Sequence, residues 1–208
     1  MCIRDSVASA PAPAPAPTPF SPQEHALTTS ISDLDVHPGV DHPLLRDLLA
    51  VERPLWTARQ LRDLTATVAG ELAGPLREVV RFDPGQRWWT RLALTEGVEL
   101  WLLSWMPGQG TEPHDHGGAS GSFTVLLGEL AEEYRYPTGP IRSARHRAGS
   151  GIGFGAGRAH QVRNLGAHNA ASVHAYSPPL VPTREYASLA DIPSVIPPLP
   201  AAPHREPA

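Results

Sequence analysis

From Gln86 to Pro178 the chain is a succession of short apolar or alternating runs, punctuated by Gly, Pro and charged residues, with no helical segment between them. That pattern is the signature of an all-β unit. Candidate strands fall at 87–94, 98–106, 111–114, 121–127, 130–136, 141–148, 152–154, 159–164 and 171–177. Nine short strands in a row point to two antiparallel sheets closed into a small β-barrel or jelly roll. The mouth or interior of such a barrel holds one small ligand.

The flanks read differently. Residues 22–85 form a short N-terminal helical part expected to cover one barrel face. A first helix runs over 41–51, with Asp41 as a cap and Pro43 in its first turn. A second starts at Thr57 and reaches about Val68, with Leu61, Leu64 and Val68 on one side. Helical signal resumes over 72–80, broken near Gly74-Pro75. Residues 1–21 read as a disordered leader. Its start, Met1-Cys2-Ile3-Arg4-Asp5-Ser6, does not fit the rest of the chain and looks like translated adapter sequence. The barrel is placed at 86–180. A Pro-rich tail, 181–208, is expected to cross the surface and end disordered around Pro197–Ala208.

With 208 residues the chain is one domain with tails. A formal charge of −4 gives no electrostatic footprint for nucleic acid or an anionic membrane, and no apolar run approaches a bilayer span. Cys2 is the one cysteine, so neither an intrachain disulfide nor a thiolate metal cluster is available. A cytoplasmic, monomeric or weakly dimeric protein is the simplest reading.

The chemistry concentrates at Pro113-His114-Asp115-His116 and at His160, 44 residues beyond His116. Two histidines at i, i+2 on a strand share a face and grip one ion, while Asp115 looks the other way as a structural acceptor. A third imidazole from a neighbouring strand completes a facial set, leaving open positions for substrate and O₂. On Ser172-Val173-His174-Ala175-Tyr176 the same period puts Ser172, His174 and Tyr176 together. There Ser172 orients His174, and His174 holds the Tyr176 hydroxyl. The other histidines, including His146, lack ligand spacing and read as surface residues. Trp88, Trp89, Trp101 and Trp105 read as core rather than as a substrate box.

The frame Gly108-x₅-His114-x-His116, with Gly128, and later Gly149-x₅-Gly155-x-Gly157-x₂-His160-x₃-Asn164, resembles the two motifs of the cupin superfamily. The glutamate usual after the second histidine is replaced by Gly121, and the proline of the second motif by Gly155. Without that carboxylate, three neutral imidazoles leave a bound Fe(II) with its full charge, which favours an anionic sulfur ligand. Thr90-Arg91, the Pro113–His116 run, Gly128-Glu129-Leu130, His160-x-Val162-x-Asn164 and Ser172 to Pro179 are similar to bacterial cysteine dioxygenases, from about Trp89 to Pro179.

That resemblance implies a cupin-type barrel and a thiol dioxygenase of cysteine catabolism, converting L-cysteine to cysteine sulfinic acid with O₂. His114, His116 and His160 would bind Fe(II), and Arg91 would pair with the substrate carboxylate. Tyr176 would act beside the reacting atoms, supported by His174 and Ser172. Trp89 stands where the family often has tyrosine. Gly121 replaces the cysteine that cross-links to the tyrosine in mammalian members, and Ser177-Pro178 would be cis. Two alternatives stay open for the function: dioxygenation of 3-mercaptopropionate or another small thiol, and a non-catalytic, ligand-sensing cupin. For Arg91 a rim salt bridge to Glu99 or Glu112 is the other reading, and for Ser172, His174 and Tyr176 a purely structural network.

Overall fold

The computed structural model describes residues 34–51, 53–179 and 183–196. The leader expected at 1–21 and the tail end at 197–208 lie outside these residues. The described part is mainly β. In chain order it contains β1 (Asp35–Val36), α1 (Pro43–Leu49), α2 (Ala58–Glu71), α3 (Ala73–Val79), β2 (Trp89–Leu94) and β3 (Glu99–Trp105). There follow β4 (His114–Asp115), β5 (Ser120–Leu127), β6 (Glu129–Arg135), β7 (Arg142–Arg147) and β8 (Gly151–Phe154), then β9 (Ala159–Arg163), β10 (Ala170–Ser177) and β11 (Arg184–Glu185). Eight of the nine expected strands are present; the one expected at 111–114 is reduced to the two-residue β4, which shares only His114 with that range.

Two antiparallel sheets make the barrel. One has the order β1-β2-β3-β10-β5-β8 and the other β11-β4-β9-β6-β7. Helix α2 packs across β5, β8 and β10 on the outside of the larger sheet. Period two therefore sorts the residues of that sheet into two cores. Leu100, Leu102, Val173 and Ala175 face Leu61, Leu64 and Val68 of α2, whereas Trp105, Phe123, Val125 and Tyr176 face the barrel interior. Every residue of β10 is buried.

Helix α2 begins with a full capping box, Thr57 with Gln60. The cap of α1 differs from expectation. His42, not Asp41, is the N-cap, its Nδ1 accepting from the Leu44 N–H at 3.2 Å. Asp41 instead pairs with Arg46 at 2.6 Å. Gly74-Pro75 lies in the first turn of α3, where a proline lacks no helical hydrogen bond. Gly128 joins β5 to β6 at φ +75°, a conformation that favours glycine. The Ser177–Pro178 peptide is cis.

Candidate metal centre

His114 ends up opposite His160 because β4 pairs with β9 in that register. His116 follows two residues on, so all three rings converge. Their centroids form a nearly equilateral triangle of 5.0, 4.8 and 5.0 Å, and one ring nitrogen from each lies within 4.8 Å of the others. Asp115 points away, as expected. It accepts from the Gly117 N–H at 2.7 Å and the Tyr186 hydroxyl at 2.6 Å and pairs with Arg184, fastening β4 to β11.

The rings are prepared for an ion. His114 Nδ1 lies 2.8 Å from the Glu112 carbonyl and His160 Nδ1 lies 2.7 Å from Glu132, which leaves each Nε2 for the centre. Both ring nitrogens of His116 are buried without a hydrogen-bond partner among the described residues. A buried polar group left so is costly unless something coordinates it. Burial also pushes His114 down to about 3 and His116 well below the ordinary imidazole range. Both are therefore neutral, the form that ligates a metal. The residues fit a divalent ion.

A carboxylate stands immediately behind this set, and the sequence reading missed it. Glu132 is fully buried and accepts from His160 Nδ1 at 2.7 Å, His146 Nε2 at 3.0 Å, and Arg158 Nε and Nη2 at 3.1 and 2.6 Å. These partners hold its carboxyl far below the usual carboxylate range against the opposing effect of burial. Its anion fixes the orientation and tautomer of the His160 ring. His146 is thus buried, not a surface residue. Arg158 is braced in turn over the Tyr134 ring at 3.5 Å. The signal was available. Leu130, Glu132 and Tyr134 alternate onto one face of β6, so Glu132 is an acid in an inward phase.

Ser172, His174 and Tyr176 do form a chain, and its direction follows from its far end. An indole N–H only donates, so Ser172 Oγ accepts from Trp105 Nε1 at 2.9 Å. The serine proton then goes to His174 Nε2 at 2.8 Å, since the buried hydroxyl has no other acceptor among the described residues. Burial keeps His174 neutral, so its proton sits on Nδ1 and is donated to Tyr176 Oη at 3.1 Å. The Tyr176 hydroxyl consequently accepts from His174 and keeps its own proton for the cavity. Burial pushes this phenol above its ordinary pKa, so it stays protonated. Its ring stacks on His116 at 5.0 Å. Gly121 makes this packing possible, because a Cβ there would meet Phe154 at 2.5 Å and Tyr176 at 3.1 Å.

The three histidines, His174 and Tyr176 open on a cavity of about 470 Å³. Trp89 and Trp101 line it, beyond their reading as core, together with Trp105, which is also part of the buried barrel core as expected, and Trp88 packs toward the helices instead. Arg91 does not line this cavity. It lies in the adjoining groove behind Trp89 and Trp101, 3.1 Å from Asp35 and 3.8 Å from Glu99. The arginine on the cavity wall is Arg87.

The family model for cysteine dioxygenase type I matches residues 57–188. No curated protein matches significantly. Among solved structures, the protein TT1209 of Thermus thermophilus is 25% identical, with 50% of this chain and 94% of that one covered and a TM-score of 0.44. An uncharacterised double-stranded β-helix protein of Klebsiella pneumoniae is 22% identical over 54% of this chain and 89% of its own, with a TM-score of 0.46. An oxalate oxidase in complex with glycolate is 25% identical over 45% and 52%, with a TM-score of 0.40. With the family model spanning well over half of its residues, the chain belongs to the cysteine dioxygenase type I family.

Proposed function

We propose that this chain oxidises a small thiol, L-cysteine first among them, to its sulfinic acid: R–SH + O₂ → R–SO₂H, both oxygen atoms ending on sulfur. The observation that carries this reading is the set of three converging imidazoles, two of them held neutral by burial, beside a phenol whose proton faces the same cavity. Iron(II) held by His114, His116 and His160 would favour the thiolate and supply the redox chemistry that couples sulfur to O₂.

The chain's own contributions are positional. Three imidazole ligands add no negative charge, so the site accepts an anionic sulfur more readily than a site containing a carboxylate ligand would. Tyr176 donates a hydrogen bond to negative charge developing on oxygen at the reacting centre. His174, Ser172 and Trp105 hold that donor in one orientation, so no reorganisation is required as the charge develops. The tryptophans exclude water and shape the wall against which the thiol lies, and Phe154 backs the His116 ring.

The test is O₂ uptake by Fe(II)-loaded protein given L-cysteine or 3-mercaptopropionate, with sulfinate quantified. Sulfinate from cysteine in proportion to oxygen supports the reading. Activity with 3-mercaptopropionate alone keeps the reaction and changes the substrate. Iron binding with no uptake from either thiol refutes it in favour of a ligand-sensing cupin.

A further inference from the structure

We infer that residues 183–192 are a strap that closes the metal cavity and fastens β4, and that the strap opens as a unit to pass the ion and the ligand. Such a gate is independent of the proposed thiol chemistry, since it governs entry rather than reaction. His116 and His160 are each 1% exposed, so an ion reaches them only past a wall that yields. Strands β3, β9 and β10, which supply much of the cavity lining, are each paired on both sides. Strand β11 is the edge of its sheet and is paired on one side only. Thr183 and Glu185 of the strap stand on the cavity wall, and Glu185 lies directly opposite His114 in the β4–β11 ladder, on the same face. The strap's apolar anchor is Leu189 and Ile192 against Ala159, with Tyr186 and Ile196 alongside, a cluster separate from both cores of the barrel. At the same end Arg135 Nη1 donates to the Leu189 and Ala190 carbonyls at 3.1 and 3.0 Å. A segment with so few buried apolar contacts opens at a fraction of the cost of global unfolding.

The latch is Asp115, a fully buried carboxylate set between His114 and His116 in the chain. Of its partners, Gly117 belongs to its own turn, whereas the Tyr186 hydroxyl at 2.6 Å and Arg184 Nη1 at 3.6 Å come from the strap. The Tyr186 N–H also donates to the Pro113 carbonyl at 2.8 Å. Strand β4 is two residues long, and its register pair with the rest of the barrel is His114 with His160. Its other pairs, Asp115 with Arg184 and His114 with Glu185, are with the strap. Closing the strap therefore steadies the strand that carries His114, and an ion that ties His114 to His160 steadies the strap in return. When the strap lifts, water takes the places of Tyr186 and Arg184 at Asp115. The carboxylate is then satisfied in both states, and opening leaves no buried polar group unpaired.

The test is amide hydrogen exchange read by mass spectrometry, with the rate of Fe(II) transfer to a chromophoric chelator as second readout, both under anaerobic conditions. Wild type, Tyr186→Phe and Arg135→Gln are compared. In the wild-type apo-protein the strap amides are expected to exchange together and well ahead of those of β10, and Fe(II) slows the strap. Tyr186→Phe keeps the ring and deletes its bond to a carboxylate. Strap exchange and Fe(II) release then rise about 10- to 100-fold, with β10 unchanged as the check on folding. Arg135→Gln loosens the far end without touching β4 or Asp115 and raises both rates in the same direction. Strap amides that exchange in step with β10, ignore Fe(II), or are unchanged in Tyr186→Phe overturn the inference. So does release that rises in Tyr186→Phe but not in Arg135→Gln, because the hydroxyl then supports β4 instead of closing a gate. Faster strap exchange with unchanged release in both variants removes the gate as well.

Discussion

Replacing Glu132 by glutamine changes one atom in the centre of a four-bond network, and the outcome can be worked from its geometry. One carboxylate oxygen accepts from His160 Nδ1 and Arg158 Nε, the other from His146 Nε2 and Arg158 Nη2. A glutamine that keeps its carbonyl toward His160 turns an NH₂ toward two donors. Arg158 cannot give up its proton, and its charge is left buried with the compensating anion gone. Breaking a buried ion pair from one side costs about 3–5 kcal/mol. For a chain of this size that lowers the melting temperature by roughly 6–20 °C. Metal affinity falls about 10- to 100-fold, because His160 loses the anion that orients it. Differential scanning calorimetry of the apo-protein and a competition titration with a chromophoric chelator measure the two effects separately. A melting temperature within about 2 °C of wild type, together with unchanged metal affinity, would refute the claim that this buried anion organises the site.

Tyr176→Phe is expected to bind iron normally and lose most turnover, measured as sulfinate formed per iron. Trp105→Phe keeps the ring and deletes the N–H that sets the direction of the Ser172–His174–Tyr176 chain, so turnover falls about 10- to 100-fold with iron content intact; unchanged turnover would mean the direction is set elsewhere. His160→Ala should lose stoichiometric iron by elemental analysis, and full occupancy would remove His160 from the ligand set. The apo-protein should lose stability on acidification from neutral pH, as urea midpoints across pH would record. The folded pKa values of His114, His116 and His174 are depressed below about 6.5, so the unfolded chain binds more protons, and for His114 this window runs down to about 3. The depressed carboxyl of Glu132 adds a loss of the same sign below its unfolded value of about 4.5.

The barrel was legible because its signal is local. Alternation along β5 or β10 and a turn residue such as Gly128 are visible within ten residues, and the i, i+2 spacing of His114 and His116 defines a shared face without tertiary information. His160 was legible through the glycine frame around it. What escaped depends on partners brought from elsewhere. Glu132 and His146 carry polar side chains that sequence assigns to solvent by default, and only the pairing of β6 with β7 and β9 buries them together. Strand β1 is two residues long, too short for a period. Arg87 and Arg91 share a face, and which of them meets the cavity is decided by where Trp89 and Trp101 stand between them, a fact of register rather than composition.

Strand β10 lends one face to the helix-backed core and the other to the hydrogen-bonded chain that ends at Tyr176. The hydrogen-bonded chain is therefore welded to the fold, and a change at His174 or Tyr176 also disturbs a strand that is buried along its whole length. Part of the cavity rim is built otherwise, from Arg87 just before β2 and from the short edge strand β11 at Glu185. Changes there leave the central strands untouched. The architecture thus divides the site into a rigid interior and an adaptable collar, and it is the collar that can change shape without disturbing the fold.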